Sequence, residues 1–222
     1  MKKMTTGIKF WLVLLLTFPC STLWAKVPAA DTPQVTVSIY NDAGIPSRSL
    51  LGAESEASRI FRQSGLELRW LNCPLPAAVL ENPADCATAD FPHHLQLRVA
   101  TRSLNLNEFT KGISYLYADG TGCCADVFYE RARQIHESNN VPVAAVLGHA
   151  IAHEIGHLLL GTNSHSATGI MRARWQPAEL ARVSKGRLFF STIEAQEMRN
   201  KLAAMHTEAK DSSHIAAAPL GD

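Results

Sequence analysis

The strongest constraint on this chain is an apolar segment, Val143 to Leu160, that carries two histidines and a glutamate in its second half. Apolar side chains fall on nearly every side of a helix drawn through it, which predicts a buried helix. Burying His153, Glu154 and His157 there without partners costs roughly several kcal/mol. A bound metal ion removes that cost, so the segment predicts a metal site as well as a helix.

The spacing of these three residues decides what they can do. Residues i and i+4 share one helix face with Cβ atoms roughly 5–6 Å apart, so the rings of His153 and His157 can meet at one ion about 2.0–2.1 Å from each, as zinc requires. Glu154 emerges about 100° further around the helix, beside the ion but outside its ligand shell. This position suits a general base acting on a metal-bound water.

A helix supplies only two ligands, so a third has to come from a segment that turns back. Gly161 predicts the end of the helix, because glycine adopts the left-handed cap conformation without a Cβ penalty. His165 follows after a turn, and four residues span up to about 13–14 Å, enough to reach the ion. The segment therefore predicts a site of three histidines and one water.

The stretch from Ala150 to Arg172 resembles the signature of the metzincin zinc metallopeptidases, His-Glu-x-x-His-x-x-Gly-x-x-His followed by a methionine-containing turn beneath the metal. The resemblance implies a zinc cofactor and a zincin-like fold. Carried over position by position, it implies these roles: zinc ligands His153, His157 and His165, general base Glu154, turning glycine Gly161, and Met-turn floor Met171.

The spacing departs from the family pattern on both sides of the glycine. Three residues, not two, separate His157 from Gly161, and three separate Gly161 from His165. Extra residues rotate the direction in which the chain leaves the helix, so a second candidate for the third ligand stays open. Glu179, which follows Pro177, resembles the downstream glutamate ligand of other metallopeptidases, but an acid in a first helical turn explains it equally well. His165 is the favoured ligand.

The N-terminus predicts export. Residues 1–25 contain a basic start at Met1 to Met4, an apolar core from Ile8 to Phe18 and a cleavage point after Ala25, as in a signal peptide. The apolar run is too short for an ordinary membrane span. We therefore expect a secreted or periplasmic protein with no membrane attachment after signal removal, with a lipid anchor on Cys20 as the alternative.

The rest of the chain predicts one domain and a tail. Residues 26–206 are enough for a single catalytic domain with its own core. Residues 207–222 are small and polar without periodicity, which predicts disorder. The formal net charge is +1 with both signs interspersed, and this gives no indication of a nucleic-acid or membrane partner. The oligomeric state stays open.

Four cysteines remain after the predicted cleavage point, namely Cys73, Cys86, Cys123 and Cys124. An even number in an exported chain favours disulfides, so we expect no free thiols. Cys73 with Cys86 closes a short proline-rich loop, and the adjacent pair joins either itself or the first two. A second metal or a redox pair is the weaker alternative, because no Cys-x-x-Cys spacing occurs.

The pattern of elements predicts an α+β fold: a small mixed, twisted sheet with a backing helix and the buried active-site helix. Strands at Val35–Tyr40 and Leu66–Trp70 flank a helix at Leu50–Gln63, which predicts a βαβ unit with parallel strands. The other predicted elements are strands at Leu95–Val99 and Gly112–Ala118, the latter continued by Val127–Tyr129, and helices at Ala178–Val183 and Thr192–Ala204.

Other polar and aromatic residues near the motif are expected to pack or to face solvent. His149 shares the face of His153, but ligands at i, i+4 and i+8 spread over about 12 Å and cannot share one ion, so it supports the site or packs. The alternatives kept open are metal binding for His93 and His94, an oxyanion donor among Tyr115, Tyr117 and Tyr129, and pocket lining for Arg172 and Arg174.

The predicted function is zinc-dependent hydrolysis of a peptide or protein substrate outside the cytoplasm. In the mechanism that the resemblance implies, Glu154 takes a proton from the zinc-bound water and passes it to the leaving amine. An edge strand near Gly112 to Tyr117 is the candidate for binding substrate by strand addition. The rivals are a non-catalytic zinc-binding domain, against which the retained Glu154 argues, and a metallohydrolase of other amide or ester bonds.

Overall fold

A computed structural model describes residues 32–74, 86, 88–102 and 110–216, with side chains up to residue 205. The predicted signal peptide and residues 217–222 lie outside this part of the chain. The strands are β1 Gln34–Tyr40, β2 Glu67–Cys73, β3 His94–Ala100, β4 Gly112–Tyr115 and β5 Cys124–Phe128. The helices are α1 Ser47–Gln63, α2 Tyr129–Asn139, α3 Val143–Leu160, α4 Pro177–Ser184 and α5 Thr192–Ala216.

The five strands form one mixed sheet in the order β2-β1-β3-β5-β4. Strand β1 is parallel to β2 and to β3, and β3 is parallel to β5. The edge strand β4 is antiparallel to β5, with Ser114 opposite Ala125 and Tyr115 opposite Cys124. The predicted parallel βαβ start and the α+β class are confirmed.

The hydrophobic core lies between one face of this sheet and the helices α1 and α3. Alternate strand residues such as Val37, Leu97 and Val127 face the helices and are fully buried. Helices α1 and α3 approach closely, because Gly148 has no side chain: a Cβ there would lie 2.7 Å from the carbonyl oxygen of Ala53. Helix α3 is long and apolar enough to cross a membrane, yet most of it is buried inside the fold, as the sequence predicted.

Three elements differ from the sequence-based expectation. Helix α2 was not predicted; its turns are tied by ion pairs of Arg133 with Glu130 and Glu137 at helical spacing. The strand expected to run to Ala118 ends at Tyr115, and the segment expected to continue it pairs beside it as β5. Helix α5 continues to Ala216, so the backbone is helical through part of the segment predicted to be disordered.

The cysteine prediction is half right. Cys73 and Cys86 form a disulfide that closes a loop of sequence separation 13. Cys123 and Cys124 are free thiols with their Sγ atoms 3.4 Å apart, which contradicts the expectation that all four cysteines are bonded. Neighbouring Cα atoms are about 3.8 Å apart, closer than the roughly 4.4–6.8 Å usual for a disulfide. A bond between Cys123 and Cys124 would therefore need a strained ring.

Candidate metal centre

Helix α3 and the segment after it bring the three predicted histidines together. A ligand atom from each of His153, His157 and His165 lies within 4.8 Å of the other two. The Nε2 atoms of His153 and His157 are 3.1 Å apart. Gly161 takes the left-handed conformation at φ 68° and its N–H donates to the His157 carbonyl oxygen. The helix thus ends where the sequence predicted and lets the chain turn back toward the site.

Hydrogen bonds on the far side of two rings define which nitrogens face the centre. Nδ1 of His153 donates to the Ile170 carbonyl at 2.7 Å, and Nδ1 of His157 donates to the Thr162 carbonyl at 2.7 Å. This tautomer leaves both Nε2 lone pairs aimed at the same point. Burial holds the pKa of His153 well below its usual value and lowers that of His157 to about 4, so both rings are neutral at pH 7.

Two lone pairs at 3.1 Å with no proton between them repel one another unless a cation lies between them. Tetrahedral zinc with bonds of about 2.0–2.1 Å sets its ligand nitrogens about 3.3 Å apart, close to the observed spacing. Neutral imidazoles oriented by backbone carbonyls are the donor set that such an ion takes. The residues present therefore fit a zinc ion.

Glu154 lies beside the triad with its carboxylate directed at β4. It is 3% exposed, and its Oε2 accepts a hydrogen bond of 2.8 Å from the Ser114 hydroxyl. Burial raises the pKa of Glu154 to about 7, while the Ser114 hydrogen bond and the charge of Lys111 act in the opposite direction. A carboxylate with a pKa near neutrality can both accept and return a proton.

Two glycines make room for these side chains. A Cβ at Gly112 would lie 2.6 Å from Cγ of Glu154 and 2.7 Å from its Oε1. A Cβ at Gly156 would lie 2.8 Å from Sδ of Met171, so the methionine reaches the underside of α3 because Gly156 has no side chain. Met171 is 1% exposed.

The triad opens into a cleft of about 470 Å³ between β4 and the segments that follow α3. Lys111, just before β4, lines one wall, and Arg174 lines the other. Lys111 Nζ donates to the Ala173 carbonyl at 2.7 Å and lies 4.7 Å from the centre of the Trp175 ring. Desolvation lowers the pKa of Lys111 to about 8. Sequence reasoning missed Lys111 and Ser114, because neither belongs to a recognisable motif.

The remaining sequence candidates lie elsewhere. Glu179 caps its own helix by accepting a hydrogen bond of 2.9 Å from the Gln176 N–H, and pairs with Arg172. Nδ1 of His149 donates to the Ala145 carbonyl and also faces the Glu56 carboxylate, so this ring takes no part in the triad. His94 forms a hydrogen bond with Ser38 and Tyr115 forms one with Asp126, both away from the triad. Tyr117 is exposed, and Tyr129 lies at the start of α2, outside the cleft lining.

Comparison with known proteins finds similarity at the level of solved structures alone. No family model matches the chain, and no curated protein matches it in sequence. Similar structures include a zinc-dependent peptidase from Methanocorpusculum labreanum (strain Z), with 17% identity, a TM-score of 0.48, and coverage of 75% of this chain and 99% of that one. Archaemetzincin from Methanopyrus kandleri has 15% identity, a TM-score of 0.48, and coverage of 79% and 99%.

Metalloproteinase-II from Bacteroides fragilis has 10% identity, a TM-score of 0.49, and coverage of 79% of this chain and 55% of that one. At identities of 10–17% and TM-scores below 0.5, these likenesses assign no chemistry to this chain.

Proposed function

We propose that this protein is a zinc-dependent peptidase of the metzincin type that works outside the cytoplasm. The observation that carries the proposal is the joint geometry of the three imidazoles and the buried Glu154 carboxylate at the floor of an open cleft. His153, His157 and His165 are the proposed zinc ligands, and Glu154 is the proposed catalytic residue. The signal-peptide pattern of residues 1–25 supports export to the periplasm or the medium.

Zinc bound by the three histidines supplies a lowered pKa for a coordinated water and polarisation of a carbonyl. The protein's own groups handle the proton. Ser114 holds the Glu154 carboxylate in place, and burial keeps its pKa near 7, so Glu154 takes a proton from water and delivers it to the leaving amine. The His153 and His157 rings stay in one tautomer because backbone carbonyls hold their Nδ1 protons.

The edge strand supplies the substrate-binding surface in this proposal. Strand β4 is last in the sheet order and pairs through one edge with β5. Its other edge borders the cleft, so a peptide can add to it through main-chain hydrogen bonds. Gly112 and Ser114, which lie against Glu154, bring the added strand to the catalytic carboxylate.

The test combines metal content with peptide hydrolysis. The mature protein should carry about one zinc per chain by elemental analysis and should cleave members of a peptide library. Chelation should abolish the cleavage, and zinc should restore it. Absence of any transition metal after zinc-replete expression contradicts the metal assignment.

If the protein carries one zinc per chain but cleaves no peptide, one of the two alternative functions applies. In that case, hydrolysis of other amide or ester substrates identifies a metallohydrolase of another class. Metal binding with no hydrolysis of any substrate identifies a non-catalytic zinc-binding domain.

A further inference from the structure

A buried lysine lies at one end of the cleft. Lys111 is 6% exposed. It forms no ion pair with a carboxylate among the described residues, although the charge of Glu154 acts on it from a greater distance. One of its three donors goes to the Ala173 carbonyl, and the Trp175 ring faces the ammonium. A neutral hydrogen-bond donor could link the start of β4 to the Ala173 carbonyl equally well, so this contact does not require a charge. A buried charge that forms no ion pair is unfavourable. The position therefore indicates a negatively charged ligand.

Other cations gather at the same end. A small cavity of about 70 Å³ adjoins the cleft, and both are lined by Lys111 and Arg174. Arg131, from α2, also lines the small cavity. Glu154 is the single acidic residue among the described residues that line either space. The lining of this end thus brings three cationic side chains, Lys111, Arg131 and Arg174, together with one carboxylate, a composition that suits an anionic group.

The direction of β4 determines which part of a peptide reaches Lys111. A strand that pairs antiparallel with β4 runs from the Tyr115 end toward the Gly112 end, so its C-terminus points to Lys111. Gly112 and Ser114 lie against Glu154, and each extended residue advances about 3.3 Å. A peptide cleaved beside Glu154 thus extends only one or two residues before it meets the ammonium.

We propose that Lys111, supported by Arg174 and Arg131, binds the C-terminal carboxylate of the substrate, so that the protein removes short pieces from the C-terminus of peptides. This inference rests on the proposed peptidase function and specifies its substrate class. Lys111 is a specificity-determining residue in this assignment. A peptide bound in the opposite direction presents its cationic N-terminus to the same lysine and is repelled.

The experiment compares one peptide sequence with a free C-terminal carboxylate and with a C-terminal amide. We expect kcat/KM for the free acid to exceed that for the amide by about 10- to 100-fold, mainly through KM. Calorimetry with zinc-chelated protein measures binding of the same two peptides without turnover, and should give the same preference. The chelated form excludes binding of the carboxylate to zinc as its cause.

Variants assign the preference to the lysine. Lys111→Met should bring the acid-to-amide ratio close to one, and Lys111→Arg should keep most of it. Lys185→Met removes an exposed lysine at the end of α4 and should leave the ratio unchanged. If Lys111→Met fails to fold, the parent protein still decides, since equal treatment of acid and amide overturns the assignment.

The two proposals fail in different ways. Hydrolysis of acid and amide at equal rates refutes carboxylate recognition and leaves the peptidase standing. Preferential binding of the acid by a protein that cleaves neither peptide refutes the peptidase and leaves the anion site standing. Retention of the full preference in Lys111→Met shows that other cations carry it and overturns the role of Lys111.

Discussion

The two faces of the β4–β5 pair carry polar clusters of opposite character. On the face away from the helices, Arg98 donates two hydrogen bonds to Asp126, and Tyr115 donates a third at 2.9 Å. The hydrogen bonds to Asp126 raise the pKa of Arg98 above its ordinary value. Every charge in this open-face cluster has a partner, and Arg98 is half exposed to water.

The cluster on the cleft face has charges that are not satisfied in the same way. Burial raises the pKa of Glu154 to about 7 and lowers that of Lys111 to about 8, so each is shifted toward its neutral form. The adjacent strand residues Ser114 and Tyr115 point to opposite faces and serve one cluster each. A cluster whose charges are already paired has little left to offer a ligand, whereas buried groups with perturbed pKa values suit acid-base chemistry.

The largest expected effect separates the two clusters directly. Glu154→Gln should lower kcat/KM for peptide hydrolysis by about 10²–10⁴-fold while the zinc content stays at that of the parent, because it removes the base and keeps the ligands. Asp126→Asn, the matched change in the open-face cluster, should alter the rate by less than about threefold. Comparable losses in both variants end the distinction between the faces.

The second effect concerns the third ligand. His165→Ala should weaken zinc binding by about 10²–10³-fold, because loss of one of three ligands removes a substantial share of the binding free energy. Glu179→Ala should keep zinc affinity near that of the parent, since this carboxylate caps α4. Competition with a chromogenic chelator measures both affinities. Release of zinc by Glu179→Ala alone contradicts the metzincin assignment.

The third effect tests the covalent bond on the open face. The double variant Cys73→Ala/Cys86→Ala should lose about 3 kcal/mol of unfolding free energy, as expected for a loop of this length. Denaturant titration measures the loss.

The free thiols can be counted in the same protein. Without reduction, the parent should react at two thiols, those of Cys123 and Cys124, when it is unfolded in the presence of a thiol reagent. Titration of no thiols would restore the original prediction of two disulfides.

The smallest effect is a gain in stability. Lys111→Met should stabilise the zinc-free protein at pH 7 by about 1–3 kcal/mol, because a buried charge is replaced by an apolar side chain of similar length. Arg98→Met, on the open face, should instead destabilise the protein by about 1–3 kcal/mol, because it leaves the buried Asp126 carboxylate with the Tyr115 hydrogen bond alone. Destabilisation by Lys111→Met would assign the lysine a structural role and weaken the contrast between the faces.

The pH dependence provides an independent check on Lys111. Its pKa is about 8 in the folded state and 10.5 as its ordinary value, so the unfolded chain binds more protons between pH 8 and 10.5. Stability of the parent should therefore rise with pH across this window. Lys111→Met should lack this contribution. Parallel unfolding curves of the two proteins from pH 7 to 10.5 would contradict a depressed pKa.

The sequence by itself determined the parts of the site that follow from local spacing. The pair His153 and His157, with Glu154 between them, depends on helix geometry alone, and Gly161 ends that helix because glycine accepts a positive φ. The buried character of α3 followed from its apolar run, and the βαβ start from its periodicity. Each of these features involves residues close together in the chain.

Only the tertiary structure decided which distant residues surround the motif. Ser114 reaches Glu154 and Lys111 reaches the cleft because β4 returns antiparallel at the edge of the sheet, a pairing that no local pattern encodes. The placement of His165 in the triad and of Glu179 as a helix cap depends on how the chain after Gly161 packs beneath α3. The free thiols of Cys123 and Cys124 result from their position at the start of β5. Such contacts join residues far apart in the chain, so they are settled by the packing of the whole core.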